Sequence, residues 1–223
     1  MTLAAAIDNL YTAFADLRRP SRIDGCPCCI DRKVSAALHT VPLRQLTPED
    51  LSSYASSALL TVGTVADYLY FLPRILEISA TERYWWPDPP VTGRAIESTD
   101  PASWPAHRTQ AFQDFLHALI GHLLSSGNED MDRVDDWLCA IARIGIDVHP
   151  FLHLIARSDK HILAYFDCNA SSLTSRNRLS NPFWERPNQG HDDIVAWFAT
   201  SPAFDAIATA YGIVLPNPES PPA

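Results

Sequence analysis

Thr61-Val-Gly-Thr-Val-Ala-Asp-Tyr-Leu-Tyr-Phe-Leu-Pro-Arg-Ile-Leu-Glu77 decides the fold. Val65, Tyr68, Leu69, Leu72, Ile75 and Leu76 recur at the helical period of about 3.6 residues and share one face. Tyr70 and Phe71 carry apolar surface round the side, so the helix is expected to be buried on more than one face. Pro73 removes one backbone donor and crowds the carbonyl of Leu69, which predicts a kink. Asp67 and Arg74, two turns apart on the remaining face, read as a candidate buried ion pair that would specify packing. Gly63-Thr64 opens the helix.

Outward from that helix the same period repeats. Leu3, Ile7, Leu10, Phe14 and Leu17 predict a helix over residues 2–18, ended by Pro20. Cys26 to Leu38 reads as a second helix with Pro27 at its first position. Thr47-Pro48-Glu49-Asp50 is a helix start: a capping hydroxyl, a proline where no amide donor is needed, and acids near the positive end of the dipole. That third helix is expected to run to about Leu60. Beyond the central helix, five stripes predict further helices: Phe112 to Leu123, Val134 to Ile141, Val148 to Ile155, Ile162 to Phe166, and Ile194 to Phe198. A last one begins at Ser201-Pro202 and closes at Gly212. Residues 171–190, rich in Ser, Asn and Arg, read as loop. Residues 84–104 hold two proline clusters and read as a long ordered connection without helix, pinned by Trp85, Trp86 and Trp104.

No segment alternates with period two. The fold expected is all-α, about ten helices in an irregular or HEAT-like right-handed stack around the Tyr68–Leu76 helix. Residues 1–215 are read as one domain, with a sub-boundary in the 84–104 connection as the alternative and residues 216–223 as a frayed proline-rich tail.

The 223 residues carry a formal net charge of -9, with 26 acidic against 17 basic side chains. An acidic chain without a basic cluster repels phosphate backbones, so a nucleic-acid partner is not expected and a basic protein partner is. No run of about 18 apolar residues occurs, so no membrane span is expected. Asp8 and Asp16 interrupt the first apolar run with no basic segment before it, unlike a signal peptide. The expectation is a cytoplasmic protein with reduced thiols among its five cysteines.

Gly25-Cys26-Pro27-Cys28-Cys29 is the most unusual motif. Cys26 and Cys29 form a C-x-x-C pair at an expected helix N-terminus, where unpaired amides and the dipole stabilise thiolate. A redox dithiol, a zinc site and a structural cluster all remain open. The redox reading lacks its βαβ context. The zinc reading needs a fourth ligand beside Cys26, Cys28 and Cys29. His39 is the local candidate, but it lies about 15 Å along an unbroken helix from Cys29. In the structural reading Cys26 extends the apolar stripe of Ile30 and Val34.

His149, His153 and Arg157 share one helix face, but the glutamate of a zinc-protease motif is missing, and a solvated face is expected. His117 and His122 flank the stripe of their helix as boundary residues. Asp132, Asp135 and Asp136 read as a solvated acidic face. No phosphate-binding glycine loop, nucleophile elbow or kinase signature is present.

Gly25-Cys-Pro-Cys-Cys29, Thr61-Val-Gly63 and Tyr70-Phe-Leu-Pro-Arg-Ile-Leu-Glu77 together resemble a group of uncharacterised bacterial proteins. The likeness covers residues 11–77, with a weaker match around Trp137-Leu-Cys139. It implies a bacterial intracellular protein and supplies no activity. The function expected is a non-catalytic protein-binding module, of the kind an immunity- or antitoxin-like inhibitor of a basic partner would be. No cofactor is expected. The alternative is a metal- or thiol-dependent protein built on Cys26, Cys28 and Cys29, with zinc as its cofactor.

Overall fold

The computed structural model describes residues 1–25, 32–126, 130–184 and 188–213. These are 70% helical, in eleven α-helices with no strand among the described residues. In order they are α1 Leu3–Ala13, α2 Arg32–Thr40, α3 Pro48–Ser57, α4 Val65–Thr81, α5 Pro89–Glu97, α6 Ala106–Ser125, α7 Met131–Arg143, α8 His149–Ile155, α9 Asp159–Arg176, α10 Gln189–Trp197 and α11 Ala203–Tyr211. Short 3-10 turns lie at Leu43–Gln45, Pro101–Ser103 and Pro182–Trp184.

The capping chemistry places the helix starts. Thr47 and Asp50 form a reciprocal capping box at α3, and Thr64 and Asp67 form another at α4. Asp67 therefore does not pair with Arg74. Its carboxylate accepts the Thr64 amide at 2.8 Å, because four orphan donors at the helix start are closer than any cation. Arg74 instead donates to Glu77 at 2.7 Å and to the Leu46 carbonyl at 2.8 Å.

Helix α4 runs unbroken through Pro73 and is buried on nearly every side: Tyr68, Leu69, Phe71, Leu72, Ile75, Leu76, Ile78 and Ala80 are all core. Val65, placed on the apolar face by its spacing, is exposed in the first turn. The buried side chains form one contiguous cluster from Ala6 to Ile207.

Helix pairings cross the sequence. α1 packs on α6 and α4, α5 on α7, and α7 also on α6, α9 and α10. A linear array of hairpins would join only neighbours in sequence, so of the two expected architectures the irregular one fits. Buried Arg108 of α6 clamps the turn after α1, donating to both Asp16 oxygens at 2.6 and 2.7 Å. Arg19 reaches the His39 and Val41 carbonyls at 3.0 and 2.8 Å. These two anchors require the chain to turn after Ala13, which is why α1 stops short of residue 18.

Three expectations need correction. Residues 84–104 contain α5, because Pro89 and Pro90 occupy its first two positions, where a missing amide costs nothing. Trp85 and Trp104 do pin this segment: Trp85 donates to the Pro48 carbonyl at 2.9 Å, and Trp104 packs between Phe14 and Phe112. Trp86 stays half exposed. Helix α9 continues through Ser171 and Ser172 to Arg176, because Thr174 and Ser175 spend their hydroxyls on carbonyls one turn back and leave the backbone ladder intact.

Two close approaches fix the position of α7. A Cβ on Gly93 of α5 would lie 2.9 Å from the Ala140 methyl, and one on Gly190 of α10 would lie 2.5 Å from the Ala142 methyl. Bare backbone on both flanks lets α5 and α10 pack directly against α7.

Candidate acidic pocket

Helix α7 carries its apolar stripe, Met131, Val134, Trp137, Leu138 and Ile141, into the core. Asp132, Asp135 and Asp136 stand together at i, i+3 and i+4, so their carboxylates share one side of the helix. Asp132 is exposed, as expected from sequence, but Asp135 is buried and Asp136 half-buried, so this is not a solvated face throughout. Helix α9 and the Pro182–Trp184 turn fold over it and enclose a pocket of about 290 Å³. Its walls are the three aspartates, Cys168 and Asn169 of α9, and the segment from Ser180 to Phe183.

The covering segment is held by specific contacts. Asn177 ends α9 in the left-handed conformation and turns the chain. Buried Asn169 then accepts the Ser180 amide at 2.8 Å and donates to the Tyr165 carbonyl at 3.2 Å. The Asn181 amide group donates to Asp136 at 2.8 Å, and its carbonyl oxygen accepts the Phe183 amide at 2.9 Å.

Asp135 is the floor. Only 5% of it is exposed, and both oxygens are engaged: Tyr165 donates its hydroxyl at 2.8 Å and Trp184 its indole N–H at 3.2 Å. Burial raises its pKa, and the donors from Tyr165, Asn181 and Trp184 offset only part of that. Asp136 is pushed up to about 7, first by burial and then by the charges of Asp135 and Asp88. Burial and Asp132 raise the Cys168 thiol to about 11, so at neutral pH it is not a thiolate nucleophile.

No ion pair reaches Asp132, Asp135 or Asp136 among the described residues. Arg133, their neighbour on α7, turns away, donating to the Ser79 and Ala80 carbonyls at 3.2 and 2.8 Å and facing Asp130. Nor does any group of three or more His, Cys, Asp or Glu among the described residues stand ready to hold a metal ion. What the pocket offers is three gathered carboxyls in a partly dry enclosure, two of them with raised pKa values, whose ionised forms a cationic guest would favour.

The residues singled out from sequence are scattered. Cys26, Cys28 and Cys29 lie outside the described residues. His39 sets its Nδ1 against the Pro20 carbonyl at 3.1 Å. His149 Nδ1 meets Asp147 at 2.8 Å on the surface. His117 stacks on Phe151, with ring centroids 4.6 Å apart. No helix of the described residues is long and apolar enough to cross a membrane. Comparison with protein-family models, with curated proteins and with solved structures finds no match for this chain.

Proposed function

We propose that the protein is a non-catalytic binding module for a basic protein partner, and that the pocket beside α7 receives a lysine or arginine side chain of that partner. The observation that carries this reading is three carboxylates gathered in one pocket with no ion-pair partner among the described residues. A volume near the lower end for small-molecule sites suits a single long cationic side chain better than a large ligand. An immunity- or antitoxin-like inhibitor would use such a pocket to hold a positively charged residue of its target.

Proton linkage tests it. A guest cation favours ionised Asp136, whose pKa stands at about 7 in the empty pocket, so binding releases a proton and tightens as pH rises through neutrality. Calorimetry with a short lysine- and arginine-containing peptide is expected to show tighter binding at pH 8 than at pH 6. Asp136→Asn should weaken it at pH 8 and remove the pH dependence. Binding that is absent, or is indifferent to both pH and Asp136→Asn, sinks the proposal.

A further inference from the structure

A second concavity lies about the seam of α6 and α8, lined by Gly121, Leu124, Ser125, Leu154, Arg157 and His161. Its volume is about 190 Å³. An apolar cavity of roughly 150 Å³ is already large enough to take benzene. Just before it on the seam, His117 of α6 stacks on Phe151 of α8. One turn further along α6 the side chain is missing: a Cβ built on Gly121 meets nothing within 4 Å. Leu124 and Leu154 supply apolar walls to the space so left.

The polar edge of this groove holds one cation, Arg157, beside the ring of His161. Arg157 is exposed and forms no ion pair among the described residues. His161 contributes a ring whose Nδ1 is buried without a hydrogen-bond partner. Ser125 has already committed its hydroxyl to the His122 carbonyl at 2.7 Å. The groove thus joins an aliphatic wall to a guanidinium and an imidazole, in a protein whose net charge is -9. General attraction for anions cannot explain a ligand here; only the local pair can.

We propose that this groove binds a small amphipathic carboxylate, its aliphatic chain over Leu124 and Leu154 in the space left by Gly121 and its carboxylate against Arg157 and His161. Arginine is the residue best suited to hold a carboxylate through paired donors. The aliphatic part supplies the driving force, since every methylene removed from water favours binding. Two contacts of different chemistry on one small ligand also give selectivity. An amine of the same length meets like charge, and inorganic phosphate has nothing to bury.

The full chain titrated with hexanoate, hexylamine and inorganic phosphate, followed by NMR amide shifts, tests this. Hexanoate is expected to shift Gly121, Leu124, Leu154 and His161 saturably, and the other two probes are not. Arg157→Gln should weaken hexanoate roughly tenfold or more, the size of a lost charged hydrogen bond. Gly121→Leu should abolish binding by filling the groove. The open space at Gly121 and the better helix propensity of leucine keep that variant folded, and its thermal midpoint should not fall. Asp136→Asn, in the other pocket, should leave hexanoate binding unchanged. The proposal is overturned if hexanoate gives no saturable shift, if hexylamine or phosphate shifts the same amides, or if neither Arg157→Gln nor Gly121→Leu changes its binding.

Discussion

Asp67 and Asp135 exchange the places their sequence settings suggest. Asp67 sits in the most apolar stretch of the chain, yet it ends at the surface, closing the first turn of α4 on Thr64. Asp135 sits in a run of charges, yet it lies under Tyr165 and Trp184. The apolar period of a helix says which face it buries first. It does not say whether its polar face will later be covered, and α7 is covered by residues 30 and 49 positions along the chain. Helix α4 meets its surroundings mostly with hydrocarbon and spends its first-turn carboxylate locally. Helix α7 meets α9 with carboxylates and must find donors for them at long range.

The largest effect expected on the α4 side is from Leu72→Ala. The side chain is wholly buried, and its truncation should cost about 2–5 kcal/mol in chemical denaturation. A loss within the roughly 0.5 kcal/mol of a surface site would mean that α4 is not the packing centre.

On the α7 side, Tyr165→Phe removes one donor from a buried carboxyl without changing the packing much. A cost of about 1–3 kcal/mol is expected, the penalty of an unsatisfied buried group. The hydroxyl favours the ionised form of Asp135, so the loss should grow as pH rises. A cost that does not grow at any pH where the fold persists would show that the hydroxyl does not favour the ionised form.

The third effect concerns Asp136. Its pKa is raised from 3.8 to about 7 on folding, so the folded state holds a proton that the unfolded chain has released. Stability is therefore greatest below about pH 4 on this account and declines as pH rises towards 7. Thermal melts of Asp136→Asn should lack that component of the decline, whereas substitution of exposed Asp132 should leave it in place. Identical melting profiles for Asp136→Asn and the unaltered protein across pH 5–8 would place Asp136 among ordinary solvated acids.

Much of the scaffold was legible because its determinants are local. Thr47-Pro-Glu-Asp50 announces a capping box that the structure forms, and Tyr68 to Leu76 announces a helix with little polar surface. Helix α5 was also written in the sequence. Asp88-Pro-Pro places its prolines where a helix tolerates them, but their density disguised a start as a break. The pocket was not legible in the same way. Asp132, Asp135 and Asp136 carry no local mark of burial, and Tyr165, Asn181 and Trp184 gain their roles only once α9 has reversed at Asn177. The one available hint was position: Asp135 adjoins Val134 and lies one turn before Cys139, both core residues, so it stands at the edge of the apolar stripe.

Gly93 and Gly190 have a meaning for how this sequence can drift. Each marks a place where another helix has come within a methyl group of α7, so the spacing of α5, α7 and α10 is written into two residues that cannot grow. Gly121 is the opposite case, a glycine with nothing beside it. Substitution at Gly121 would reshape a groove and leave the architecture alone. Substitution at Gly93 or Gly190 would push on the helix that carries all three pocket aspartates, and so pass a change made on either flank of α7 to the carboxylates between them. The freedom of the pocket to change its shape is bounded by two glycines that line no part of it.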